Sequence, residues 1–314
     1  MNFIESIRTK ASQKNAKIVF PRSSDPRVIE AAEFLADNNL CTTILLSNKS
    51  SVDTKLDVIE IESHPKLQQY AEAFYAKRKH KGITLEQALE TIKDPLFFAA
   101  SMLDAGDADG AVAGSVSTTG DVLRAAIQTI GLKEGSNVVS STFLMSFDDG
   151  RVFTYGDCAV VPYPTSDQLA SIAIDSAATH KALTGESPKV AMLSFSTKGS
   201  AKHERVELVT EALESAKSNA PNLDIDGELQ FDAAVIEQIG QRKAPGSAVA
   251  GKANVFIFPN LDAGNIGYKI TERLGGATAT GPVIQGLAKP MMDLSRGCSW
   301  EDIVNTACVA ALLS

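Results

Sequence analysis

Short apolar runs rich in β-branched residues alternate along the chain with longer stretches whose apolar positions recur at helical spacing. The short runs predict strands at Lys17–Phe20, Thr42–Leu46, Asp57–Ile61, Gly110–Ala113, Ser141–Phe147, Val152–Cys158, Val190–Phe195 and Asn254–Phe258. The longer stretches predict helices at Pro26–Asn38, Leu67–Arg78, Leu85–Ala105, Asp121–Ile130, Gln168–Thr184, Lys202–Ala220, Ile266–Leu274 and Ser299–Leu313. Asp25–Pro26 reads as an N-cap followed by proline at the first helical position. Strand and helix alternating in this way predict βαβ units and a mostly parallel sheet covered by helices, an α/β fold. One pair breaks the rhythm. Asp148–Asp149–Gly150–Arg151 joins two strand runs with a hairpin signal, since Asp-Gly suits positions of positive φ. That break makes a candidate domain seam, and two packed domains with a cleft between them are expected.

The chain has 314 residues, enough for about two cores, and 44% hydrophobic with 22% charged residues is the balance of a globular protein. A net charge of −8 argues against nucleic acid or an anionic membrane surface as the main partner, so any anionic substrate must be held by local basic groups. Cys41, Cys158, Cys298 and Cys308 show no paired spacing, and the four histidines do not pair at metal-ligand distance, so neither a metal site nor a disulfide frame is expected. Met1–Ala11 lacks the apolar centre of a signal peptide, and no run approaches the length of a membrane span. A reduced, cytoplasmic protein is expected.

Several strand-to-helix junctions are rich in hydroxyl residues and glycine: Gly114–Gly120, Ser194–Ser200 and Asp262–Asn265. Free backbone N–H groups at such junctions suit phosphate, although Ser, Thr and Gly are also ordinary turn and cap residues. Ser117 in the first loop, with Ser196 and Lys198 in the second, are the candidate ligands. No GxGxxG opens a helix after the first strand and no GxxxxGK[ST] occurs, so nucleotide fingerprints are missing. Arg27, Arg78, Arg124 and Arg296 each lie near a Gly-, Pro- or Ser/Thr-rich junction, and arginine binds phosphate bidentately. Arg78 and His80 also fit a plain helix end, where cations meet the dipole before a terminating glycine. His203 fits a helical surface.

Gly286–Val304 concentrates the chemistry: Ser295 and Arg296 in a Gly-flanked turn, then a helix opening with Glu301 and Asp302. Hydroxyl, fixed cation and carboxylate within two helical turns suit an anionic acyl or phosphoryl substrate. Ser299–Asp302 equally fits a capping box. Cys298, with no histidine nearby, reads as a small buried residue.

The chain resembles the phosphate acetyltransferases over nearly its whole length. The resemblance is carried by Asp109–Thr118, Lys189–Ser200, Asp226–Ala234, Gly251–Pro259 with Gly264–Ile266, and Asp293–Ser299. It implies reversible transfer of acetyl between acetyl-CoA and phosphate, coenzyme A being a substrate and no cofactor or metal being tightly bound. It also implies two α/β domains of the isocitrate and isopropylmalate dehydrogenase architecture: residues 1–145 with 285–314, and residues 146–284, in a homodimer. Asp302 would be the general base, Ser295 and Arg296 the pair that orients the thiol and stabilises the oxyanion, and Arg27, Arg78 and Arg124 the holders of the substrates' anionic groups. Asp302 would serve as both cap and base only by swinging away from the helix end.

The chain departs from the family pattern twice. Arg22 follows the first-strand proline where an acidic residue is common, expected to alter charge at the cleft edge, and Ala125 stands where proline is common after Arg124, expected to soften the loop that aims it. The alternatives are a phosphate butyryltransferase-like enzyme with a larger acyl pocket, a non-catalytic regulatory domain of this fold, and a nicotinamide-dependent dehydrogenase. Retention of Ser295, Arg296 and Asp302 argues against the second, and the lack of a clear acidic metal cluster against the third.

Overall fold

The computed structural model describes residues 2–48 and 52–314. In chain order the elements are α1 (Phe3–Ser12), β1 (Lys17–Phe20), α2 (Pro26–Asp37), β2 (Thr42–Ser47), β3 (Val58–Glu60), α3 (Leu67–Arg78), α4 (Leu85–Ile92), α5 (Pro95–Asp104), β4 (Gly110–Ala113) and α6 (Thr119–Thr129). There follow β5 (Ser140–Ser146), β6 (Val152–Gly156), α7 (Ser166–Thr184), β7 (Lys189–Leu193), α8 (Glu204–Asn219), β8 (Asp224–Leu229), α9 (Phe231–Val235) and α10 (Glu237–Lys243). The last five are β9 (Val255–Ile257), α11 (Leu261–Arg273), β10 (Thr278–Gln285), β11 (Met291–Asp293) and α12 (Trp300–Leu313).

The chain divides into two compact units, Phe3–Lys133 with Leu287–Ser314, and Glu134–Gly286. The β5–β6 hairpin is not a seam. Its turn runs where the sequence places it, with Gly150 at φ +88°, but β5 pairs with both β6 and β10 and so lies wholly inside the second unit. A boundary at residue 145 would cut β5 near its end.

The first unit is built on a five-stranded parallel sheet of order β11-β4-β1-β2-β3. All four residues of β4 are buried, as expected for a parallel strand covered on both faces. Helix α12 packs on α1, α2 and β4, while α5 packs on β4, β2 and the helices α3, α4 and α6. Asp25 caps α2 by accepting from the Arg27 backbone N–H, with Pro26 in the first turn. The single helix expected over Leu85–Ala105 is two. Asp94 caps α5 and Pro95 starts it, and proline disfavours helical geometry in the residue before it, so α4 must end first.

The second unit holds a six-stranded sheet of order β10-β5-β6-β9-β7-β8, antiparallel at its β10-β5-β6 side and parallel from β6 to β8. Helices α7 and α8 pack against it over Val190, Met192, Val255 and Ile257, while Tyr155 and Phe256 of its own strands enter a second cluster against which Val235 of α9 and Tyr268 of α11 pack. Among the described residues no helix is long and apolar enough to cross a membrane.

Candidate active site

Because β11, β4 and β1 are parallel neighbours, the loops that follow them leave the same edge of the first unit's sheet. The loops are Pro21–Asp25, Gly114–Thr118 and Leu294–Ser299. Gly114 makes the approach of two of them possible: it sits at φ +99°, and a Cβ there would collide with the Leu294 backbone. Asp293, the last residue of β11, ties the start of one loop to the end of the other by accepting from Thr119 Oγ1, at the start of α6, at 2.6 Å, while its other oxygen is buried without a partner. Burial pushes its carboxyl up to about 6, against the opposing hydrogen bond from Thr119.

Arg27 joins all three loops. Its Nε donates to Asp25 Oδ1 at 3.1 Å, and Nη2 to Asp25 Oδ2 and the Ser115 carbonyl, both at 2.9 Å. Its Nη1 donates to the carbonyls of Arg296 at 3.0 Å and Cys298 at 2.7 Å. Burial pushes the Asp25 carboxyl up, but hydrogen bonds from Arg27 and Ser115 outweigh it and hold the group below the usual carboxylate range. Burial likewise raises the Cys298 thiol, partly offset by Arg27, which fits a small buried residue and not an activated nucleophile.

Ser295 and Arg296 are exposed at the tip of their loop. Ser295 Oγ accepts from the Gly297 N–H at 3.2 Å, leaving its own proton to donate. The Arg296 guanidinium makes no hydrogen bond or ion pair among the described residues. At the start of α12 the capping box is complete: Ser299 Oγ accepts from the Asp302 N–H at 3.1 Å, and Asp302 Oδ2 accepts from the Ser299 N–H at 2.9 Å. Only one oxygen is used. Asp302 is exposed, and its Oδ1 has no hydrogen-bond partner, so capping leaves a basic oxygen facing solvent without any swing of the side chain.

Arg78 ends α3 before a short 3-10 turn over Lys79–Lys81, and Gly82 terminates it at φ +83°, the plain helix end expected for this basic stretch. Its guanidinium has no partner among the described residues. Arg124 projects from the middle of α6, not from a loop, and pairs with Asp121 at 3.0 Å. Ala125 is a buried position of the same helix, so it softens no loop. Arg22 reaches Ser117 Oγ and Asp94 Oδ2, each at 3.4 Å, and shares a cavity of about 360 Å³ with Arg124, Asp94 and Asp121. Ser117 itself is buried.

In the second unit the Ser194–Ser200 loop is tied to the end of β8. Ser196 is fully buried, donates to Glu228 Oε1 at 2.8 Å and accepts from the Ala201 N–H at 3.0 Å. Lys198, at φ +49°, donates to Asp226 and to the Gly227 carbonyl. Both candidates therefore meet protein acceptors. His203 is the N-cap of α8, its Nδ1 accepting from the Arg205 N–H, rather than a residue on the helix surface. Among the described residues no three His, Cys, Asp or Glu side chains gather at metal-holding distance.

Comparison with known proteins places this architecture. The phosphate acetyltransferase of Thermoanaerobacterium thermosaccharolyticum is 46% identical over 325 aligned positions, covering 99% of each chain. The solved phosphotransacetylase from Streptococcus pyogenes matches with a TM-score of 0.93 at 42% identity, over 99% of this chain and 97% of its own. The EutD phosphotransacetylase from Staphylococcus aureus gives 0.92 at 42% identity, again over 99% and 97%. The α/β class expected from the sequence is the class of these neighbours, and in this chain it is built on two sheets. A profile of the phosphate acetyl/butaryl transferases matches residues 2–311, and the chain belongs to that family.

Proposed function

We propose that the protein is a phosphate acetyltransferase, interconverting acetyl-CoA plus phosphate with coenzyme A plus acetyl phosphate by direct attack of the thiol on the acyl phosphate. Support comes above all from one arrangement. A loop carrying an exposed hydroxyl and an uncommitted guanidinium leads into a helix whose first turn holds a carboxylate with one free oxygen.

Coenzyme A's thiol has a free pKa resembling that of cysteine, about 8.5, so a base raises the thiolate fraction at neutral pH. Asp302 Oδ1 takes the thiol proton. Ser295 Oγ–H orients the sulfur, and the Arg296 guanidinium stabilises the oxygen that becomes negative as sulfur adds to the acetyl carbonyl. Collapse of that adduct breaks the carbonyl carbon–oxygen bond and releases phosphate, which leaves as the anion. Arg78 and Arg124 hold anionic groups of the two substrates through donors the protein leaves free. No covalent acyl-enzyme is needed, since two bound substrates held close together gain most of the effect of an intramolecular reaction. The protein works as a homodimer in the cytoplasm, with coenzyme A as substrate and no tightly bound cofactor.

Acyl-chain preference is tested by comparing kcat/KM for acetyl phosphate and butyryl phosphate with coenzyme A. Acetyl phosphate is expected to be preferred. A preference for butyryl phosphate would move the chain to the other branch of its family.

A further inference from the structure

Arg27 has the chemistry of an anion ligand but no donor left for an anion. A guanidinium carries five N–H groups. In this protein all five are used: one by Asp25 Oδ1, one by Asp25 Oδ2, and one each by the carbonyls of Ser115, Arg296 and Cys298. Asp25 is buried and is itself fixed as the cap of α2. The side chain is 32% exposed, so an approaching phosphate would meet a charged face and find no directed hydrogen bond.

The acceptors are distributed to a purpose. The Arg296 and Cys298 carbonyls flank Gly297, a residue with no side chain to restrain it, and lie between Ser295 and the Ser299–Asp302 cap. A rigid planar group that grips both carbonyls fixes this turn against the loops following β1 and β4. Lysine, a point charge with a flexible stem, does not reproduce that fork.

We infer that Arg27 is a positioning residue: it holds the Arg296–Cys298 turn, and through it Ser295 and the start of α12, in reactive register, and it does not ligate substrate phosphate. This rests on the acyl-transfer function proposed above.

The test uses the full-length protein with Arg27→Ala and Arg27→Lys, read by steady-state kinetics for acetyl phosphate and coenzyme A and by amide hydrogen exchange. In Arg27→Ala, kcat should fall on the order of a hundredfold, the cost of a misplaced reacting group, with each KM within about threefold of wild type. Guanidinium ion added at millimolar concentration should recover part of the lost kcat in Arg27→Ala and not raise that of the wild type. Arg27→Lys should remain impaired. Exchange should quicken at residues 295–299 in both variants, a readout independent of activity. A tenfold or larger rise in either KM with kcat retained would make Arg27 a substrate ligand. Unchanged kcat and KM with only a lowered Tm would make it merely structural. Unchanged exchange at residues 295–299 would also overturn the inference. Should wild-type protein form no thioester, the proposed function fails by that result alone, and hydrogen exchange still decides whether Arg27 holds the turn.

Discussion

Asp302 and Ser299 exchange two hydrogen bonds at the start of α12, yet the exchange occupies only one of the two Asp302 carboxylate oxygens. Cap and base are therefore separable by substitution. Asp302→Asn keeps an oxygen to accept from the Ser299 N–H but loses the basic oxygen. Its kcat should fall by about 10²–10⁴-fold, the range for removal of a general base, with Tm close to wild type. Ser299→Ala should cost ~1 kcal/mol of stability, the usual price of a lost cap, while retaining most of the turnover. Steady-state kinetics and thermal unfolding of the two variants check this. A large stability loss in Asp302→Asn with retained kcat would leave the residue only a cap.

Arg78 is expected to be a ligand without a structural task. Since its guanidinium has no partner among the described residues, Arg78→Gln should leave Tm unchanged. A lost charge-assisted hydrogen bond is worth roughly 1.5–3 kcal/mol, so KM for at least one anionic substrate should rise about 10- to 100-fold. Unchanged KM for both substrates would return the residue to an ordinary helix end.

Ser196 is expected to behave in the opposite way. Its buried Oγ links Glu228 to the Ala201 N–H, and Ser196→Ala would leave both without that partner. A loss of about 1–3 kcal/mol is expected in denaturant unfolding, with KM values nearly unchanged. An increase in KM at full stability would instead support the ligand role that its Ser- and Gly-rich loop suggests.

Two buried groups give opposite pH dependences. His180 is fully buried, hydrogen-bonded through Nδ1 to Thr154 Oγ1 at 2.9 Å, and burial lowers its ring from 6.5 to about 4. The unfolded chain therefore binds a proton below about pH 6.5 that the folded chain refuses until about pH 4. Stability attributable to His180 should fall by ~3 kcal/mol as pH drops through that window, and His180→Gln should flatten the decline. Asp293, raised from 3.8 to about 6, binds its proton more tightly when folded, so its contribution falls as pH rises from about 4 to about 6. Asp293→Asn should thus gain stability relative to wild type on going from pH 4 to pH 7. Unfolding free energies across pH 4–7 check both, and parallel curves for a variant and wild type would contradict the assignment.

The regular strands were legible because their patterns are local. Ile18–Phe20 and Gly110–Ala113 are continuous apolar or small runs, and the strands Lys17–Phe20 and Gly110–Ala113 lie as the sequence predicts. β8 was not, because Asp224–Leu229 places two aspartates and a glycine in a strand that neighbouring β7 stabilises. β10 was hidden by Gly281–Pro282, tolerated there because it is an edge strand whose register shifts at that point. β11 is three residues long, and its partner β4 is remote in sequence. The same division holds in the site. Ser295, Arg296 and Asp302 could be proposed from spacing and resemblance. What Arg27 does could not, because its acceptors include backbone carbonyls 88, 269 and 271 positions away, which no side-chain pattern encodes.

The most direct measurement follows thioester absorbance when purified wild-type protein and Asp302→Asn are each mixed with acetyl phosphate and coenzyme A. Rapid acetyl-CoA formation by the wild type, reduced at least a hundredfold in the variant, is the expected result for a base acting on the thiol. No thioester from the wild type with either acetyl or butyryl phosphate would contradict acyl transfer itself, and equal rates for the two proteins would contradict the role of Asp302.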